Sequence, residues 1–93
     1  MIALQLRILE LLDQHGMLRG LELVERSDGH LSRGTVYVHL SELLEGGYVE
    51  ECLDVSDPIA DQLPRRLYRI TGSGHRTLDV ARASLAALFG EPV

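Results

Sequence analysis

Residues 31–50 read LSRGTVYVHLSELLEGGYVE, and this stretch decides the fold. Ser32 is placed to cap a helix, because its hydroxyl can accept a hydrogen bond from a free backbone N–H of the first turn. An apolar stripe follows at helical spacing, formed by Val36, Leu40, Leu43 and Leu44. Gly46 and Gly47 are typical of a helix end. The pattern therefore predicts a short amphipathic helix that leads through a glycine stop into a β-strand.

The first turn of this helix is small and polar, with the sequence SRGT at residues 32–35. Small residues let the backbone amides at the positive end of a helix approach a phosphate, as entry into the major groove of double-stranded DNA requires. The side opposite the stripe carries Arg33, Val38, His39, Ser41 and Glu42, with Tyr37 at its boundary. An ordinary amphipathic helix with a solvated face has the same pattern, so the stretch alone leaves both interpretations open.

Composition indicates one small globular domain. The chain has 93 residues, of which 45% are hydrophobic and 4% aromatic, so its core must be mostly leucine and valine. A domain this small and leucine-rich often completes its core by dimerising. The net charge of −5 is unusual for a nucleic-acid binder. A local basic patch can nevertheless act within about 10 Å at ordinary salt.

Several classes of protein are disfavoured by the sequence. The single cysteine, Cys52, excludes an internal disulfide framework and fits a small core or edge residue better than a redox sensor. No short metal-ligand spacing occurs among the histidines, which are His15, His30, His39 and His75. The chain shows no catalytic constellation, signal peptide or membrane-spanning stretch. We therefore expect a cytoplasmic protein that is not an enzyme and binds no metal or cofactor.

Two helices are predicted before the organising stretch. Residues 2–14 form a helix with more apolar residues than one stripe can use, so Leu4 or Leu6 must point away from the core, towards a second subunit. Residues 18–27 form a shorter helix. Asp28 and Gly29 supply a turn, and the two helices that it joins make a helix-turn-helix arrangement.

A hairpin and a last helix are predicted after it. Residues 48–55 and 66–70 read as strands, joined by a polar loop that contains Asp57 and Asp61. The result is a winged helix-turn-helix of the α+β class, mainly α with a small β-hairpin, in the order α-α-α-β-β-α. The last helix, at about 74–89, carries a coiled-coil-like row of Leu78, Ala81, Leu85 and Leu88, widened by Phe89. This row predicts a dimerisation helix, although the helix could instead pack back on its own domain.

Distinctive segments follow one another in a fixed order through most of the chain. They are GLEL at residues 20–23, LSRGTVY at 31–37, and PRRLYRIT at 64–71, with Leu40, Leu43, Leu44, Gly47 and Val49 between the last two and Gly74 and Leu78 after them. Over roughly residues 17–80 this order resembles the PadR-like family of bacterial winged-helix transcriptional regulators. The GTVY and YRITxxG segments are its most specific parts.

The resemblance implies a homodimeric DNA-binding repressor of the short form, with a single C-terminal helix. A DNA-binding domain at 1–71 and a dimerisation helix at 72–93 would form one compact unit. The helix at about 33–45 would enter the major groove, and the residues expected at DNA are Ser32, Arg33, Gly34, Thr35, Tyr37, Val38, His39, Ser41, Arg65 and Arg66. The subunit contact would use Leu4, Leu6, Leu78, Ala81, Leu85, Leu88 and Phe89. Some members of the family respond to small apolar molecules, so a small apolar effector stays open.

The chain departs from the family where basic residues are frequent. Val38, Ser41 and Glu42 stand at such positions in the recognition helix, and the wing carries Asp57 and Asp61. Arg65 and Arg66 could clamp a phosphate or pair with these two acids. The departures favour an alternative function, a winged-helix module whose acidic surface binds a basic protein partner and little or no DNA.

Overall fold

The computed structural model describes residues 2–54 and 65–88. Its elements are α1 (Ala3–His15), β1 (Met17–Leu18), α2 (Gly20–Arg26), α3 (Arg33–Glu45), β2 (Val49–Asp54), β3 (Arg65–Ile70) and α4 (Gly72–Leu88). These elements confirm the predicted α+β fold class and its helix order. The predictions for Val55, for the loop with Asp57 and Asp61, and for Phe89 lie outside the described residues.

The strands form one antiparallel sheet in the order β1-β3-β2. Val49 pairs with Ile70 and Asp54 with Arg65 at the two ends of the hairpin. β1 is a strand that the sequence does not predict, because the helical pattern places Leu18 in the second helix. In the structure Leu18 is buried and pairs with Tyr68, and α2 begins only at Gly20.

A leucine-rich core lies between the helices and the inner face of the sheet. The apolar stripe of α3 is buried, with Val36, Leu40 and Leu43 at most 1% exposed, which confirms its predicted direction. Leu44, Leu4 and Leu6 are partly buried and pack against this core. Within the described residues no helix is long and apolar enough to cross a membrane.

The turn between α2 and α3 is held from inside. Ser27 is fully buried, its hydroxyl donates to the carbonyl of Val24 at 2.8 Å, and it accepts the N–H of Leu31 at 3.0 Å. Asp28 and Gly29 have φ values of 54° and 84°, which reverse the chain as the sequence predicts. The orientation of α3 relative to α2 is therefore fixed by a buried hydrogen-bonded side chain.

The helix ends differ in part from the sequence prediction. Ser32 occupies the N-cap position of α3, but its hydroxyl makes no capping bond to a backbone N–H. It pairs instead with the hydroxyl of Thr35 at 2.9 Å. Thr71 does cap α4, since its hydroxyl accepts the N–H of Gly74 at 3.1 Å and donates to the carbonyl of Gly47 at 2.6 Å.

Candidate nucleic-acid interface

The outer face of α3 presents one continuous line of residues to solvent. Gly34, Val38, Ser41 and Glu45 follow the spacing i, i+4, i+7 and i+11, which keeps them on one side of a helix. All four are exposed, and Val38 exposes 56% of its surface. We call these four residues the central row. Burial of the opposite stripe is what turns the central row outwards.

On one side of the central row, α1 holds two polar side chains of α3. Gln5 of α1 is a buried polar residue, only 7% exposed. Its amide nitrogen donates to the carboxylate of Glu42 and lies 3.4 Å from Nδ1 of His39. His39, a predicted DNA contact, is therefore half-buried at this flank. Gln5 is a residue that sequence reasoning missed, because a glutamine on a leucine-rich helix gives no signal of its partners.

On the other side, Tyr37 lies against α2. A Cβ at Gly20 would come within 2.6 Å of the Tyr37 ring, so the ring occupies the space that any other residue at position 20 would need. Tyr37 remains 48% exposed. The sequence singles out Gly20 within its GLEL segment but does not show that Tyr37 is its neighbour, because the contact joins two helices.

A groove of about 660 Å³ opens beside Tyr37, between α2, α3 and the wing strand β3. Its lining is rich in arginine and tyrosine and consists of Arg19, Gly20, Leu21, Glu22, Glu25, Tyr37, Arg65, Arg66 and Tyr68. The structure thus brings three of the predicted contact residues together, Tyr37, Arg65 and Arg66. It adds Arg19 and Tyr68, which sequence reasoning did not assign to the site.

The surroundings of Tyr68 keep its hydroxyl protonated. Burial is the main cause that raises the pKa of Tyr68, and the nearby Glu51 carboxylate raises this pKa further. The Arg66 guanidinium acts in the opposite direction. Since the usual pKa of tyrosine is already near 10, the hydroxyl stays a neutral donor at physiological pH.

Two of the arginines that line the groove have carboxylate partners at short range. Arg66 lies 3.8 Å from Glu51, and Arg19 lies 3.3 Å from Glu22. Across the hairpin Arg69 pairs with Glu50. These pairs are partly exposed, so each contributes about 0–1 kcal/mol. A phosphate could therefore replace a carboxylate at a small energetic cost.

The N-terminal turn of α3 is open to an external group. Ser32, Arg33, Gly34 and Thr35 are all exposed. A Cβ at Gly34 would meet only the Ser32 hydroxyl, at 3.9 Å. Packing against the described residues therefore does not require a glycine here. The missing side chain leaves the backbone of this turn open to a group that approaches from outside.

Of the residues predicted for the subunit contact, Leu4 and Leu6 are partly buried against the core of their own chain, contrary to the expectation that one of them points away from it. The leucines of α4 divide into two groups. Leu78 is 2% exposed and belongs to the core of its own chain. Leu85 and Leu88 are 52% and 77% exposed, on the C-terminal half of α4. α4 is tied to α1 from its first turn as far as Arg82, because Asp13 lies 3.2 Å from His75 and 3.4 Å from Arg82. α4 thus packs back on its own domain at its start and exposes leucines at its end.

The sequence matches the model of one protein family. The model of the transcriptional regulator PadR-like family matches residues 6–80. No curated protein shows a significant sequence match. Among solved structures, the YusO protein from Bacillus subtilis superposes with a TM-score of 0.80 at 19% identity, covering 95% of this chain and 57% of its own. The present chain therefore spans little more than half of YusO.

Two further structures are described as PadR proteins. A PadR family transcription regulator from Clostridium difficile R20291 superposes with a TM-score of 0.79 at 16% identity, covering 94% of this chain and 91% of its own. Bacillus subtilis PadR in complex with operator DNA gives a TM-score of 0.69 at 23% identity, covering 83% of this chain and 45% of its own. These likenesses confirm the fold.

Proposed function

Because the chain belongs to the PadR-like family of transcriptional regulators, we propose that it is a sequence-specific DNA-binding repressor that acts in the cytoplasm as a homodimer. In this proposal α3, over about residues 33–45, enters the major groove of operator DNA. The observation that carries the proposal is the exposed central row of α3, flanked on its wing side by the arginine-lined groove. Bacillus subtilis PadR was solved with operator DNA, which supports DNA as the ligand of this fold.

The contacts would divide by position. The hydroxyls of Ser32 and Thr35 and the guanidinium of Arg33 lie at the start of α3, where phosphate contacts fix the register of a recognition helix. Tyr37, Arg65 and Arg66 would bind the phosphate backbone on the wing side. Base edges would meet the exposed residues of the outer face, Gly34, Val38 and Ser41. His39, half-buried beside Gln5, would be a peripheral contact.

An interaction module for a basic protein partner is the alternative. Negative charge favours this alternative. Glu42 and Glu45 are exposed on the recognition helix, and the chain carries a net charge of −5. Carboxylates on this face repel phosphates and attract cationic side chains.

The two functions can be separated by a salt titration. We would select duplexes from a random library with the purified chain and measure binding by fluorescence anisotropy across a salt series. For a repressor, Arg33→Ala, Arg65→Ala and Arg66→Ala each lower affinity. Each also reduces the slope of log K against log[salt] by about 0.9 for every phosphate that the variant no longer neutralises. In a symmetric dimer each substitution leaves two phosphates without their arginine.

Arg76→Ala is the matched control, because it removes the same charge from an exposed position on α4 outside the proposed interface. It should leave the affinity and the slope unchanged. If no duplex is enriched even at low salt, or if all four variants behave alike, DNA binding by this face is rejected and the interaction module becomes the better account.

A further inference from the structure

The chemistry of the central row is unusual for a DNA-reading surface. Arg, Lys, Asn and Gln read guanine and adenine through paired hydrogen bonds in the major groove. None of these four residue types occurs among Gly34, Val38, Ser41 and Glu45. The row has one apolar side chain, and that side chain is exposed by 56%. An exposed valine at the centre of a recognition face has no role in the core of its own chain.

Val38 has small neighbours both before and after it on the central row. Gly34, one turn before it, has no side chain, and a Cβ there would find open space except for the Ser32 hydroxyl at 3.9 Å. Ser41, one turn after it, is small and exposed. The two methyl groups of Val38 therefore stand between two short neighbours, where a base edge can reach them.

The flanks restrict the other side chains that could read bases. Glu42 accepts a hydrogen bond from Gln5, which holds its carboxylate towards α1. On the wing side, Tyr37 rests on Gly20, and Arg65 and Arg66 lie in the groove beside it. Arg65 and Arg66 therefore lie at the flank, Arg33 lies at the start of α3, and the centre of the face is left to Val38.

The only apolar group that the base pairs present in the major groove is the C5-methyl of thymine. We propose, on the premise that the chain binds DNA through α3, that Val38 reads this methyl group and that each operator half-site carries a thymine opposite Val38. Sequence discrimination at this position would come from burying the thymine methyl group against Val38. It would not involve a hydrogen bond.

Replacing single thymines by deoxyuridine tests the proposal, since the exchange removes the methyl group and leaves base pairing intact. The enriched duplexes would be synthesised with deoxyuridine at one position at a time and titrated by anisotropy. We expect one thymine in each half-site at which the exchange weakens binding about fourfold, the factor for burying one methyl-sized group. In Val38→Ala the same exchange should have little effect.

Val38→Thr keeps one of the two methyl groups and should retain part of the deoxyuridine penalty. Val38 is exposed, so both variants should fold, and thermal unfolding checks this. An enriched duplex insensitive to deoxyuridine overturns the inference and leaves the proposed function intact. A penalty undiminished in Val38→Ala also overturns it, because another group then reads the methyl. Failure to enrich any duplex rejects the proposed function and the inference together.

Discussion

Gly34 is a helical glycine that no contact among residues 2–54 and 65–88 explains. Gly34 does not have a positive φ, and a Cβ at this position would clash with none of the described residues. Glycine costs a helix about 0.5–1 kcal/mol relative to alanine. We therefore expect Gly34→Ala to raise the free energy of unfolding by up to about 1 kcal/mol and to weaken DNA binding, because the added methyl lies where the DNA approaches. Urea unfolding and anisotropy titration measure the two effects.

Gly29→Ala provides the contrast. A Cβ there would also meet nothing, but its φ of 84° is strained for alanine. That variant should lose about 1–2 kcal/mol of stability with little change in the affinity of the folded protein. An unchanged affinity in Gly34→Ala would show that this turn does not approach DNA.

Individual residues show where sequence reasoning succeeds and where it stops. The direction of Val36 and Leu40 could be predicted, because helical periodicity alone decides which side chains are buried. The N-cap position of Ser32 was also predictable, but the partner of its hydroxyl was not. Thr35, three residues on, offers a second hydroxyl in place of the backbone N–H. Gln5 contacts α3, and Gly20 contacts Tyr37, so each contact joins two separate helices. A local sequence pattern does not show how separate helices pack against each other.

At the scale of elements, the junction of α3, β2 and α4 depends on Gly74. A Cβ at this position would lie 2.2 Å from the backbone carbonyl oxygen of Tyr48 and 2.6 Å from Ile70. The Ile70 atom is the side-chain carbon Cγ1, but the Tyr48 carbonyl belongs to the backbone and cannot move away without displacing the residue that leads into β2. We expect Gly74→Ala to lower the free energy of unfolding by about 1–3 kcal/mol, the usual cost of overpacking, measured by urea denaturation.

Gly72→Ala is the matched control on the same helix. Its Cβ would meet only a guanidinium nitrogen of Arg76, at 3.5 Å, the end of a flexible side chain. This variant should be as stable as the unmodified protein or more so. Equal losses in the two variants would mean that glycine is needed at the start of α4 for some reason other than the close approach to β2.

The elements that the sequence could not predict are those with too few residues to show a period. β1 has two residues, and its pairing with Arg69 and Tyr68 comes from tertiary contact. The long elements α1, α3 and α4 were predicted to within about two residues. α4 begins at Gly72, two residues before the predicted start, and Thr71 supplies its cap.

At the scale of the whole molecule, the end of α4 is an apolar surface that one chain does not bury. Gly74 and Leu78 are the buried residues of this 17-residue helix, and both lie in its first half. Leu85 and Leu88 are exposed beyond them. Burying an exposed leucine is worth about 1.5–3 kcal/mol, so two from each chain would offset a substantial part of the free-energy cost of association.

We therefore predict that the protein sediments as a dimer and that Leu85→Glu with Leu88→Glu converts it to a monomer with much weaker operator binding. The dimer dissociation constant should rise on the order of a thousandfold or more, since four buried leucines are replaced by charges. Ala83→Glu is the control, because Ala83 is exposed and helical spacing turns it away from both Leu85 and Leu88. Sedimentation velocity and anisotropy measure both properties. A monomeric unmodified protein, or a dimer that Ala83→Glu disrupts as strongly, would place the subunit contact elsewhere, because the predicted contact uses only one side of α4.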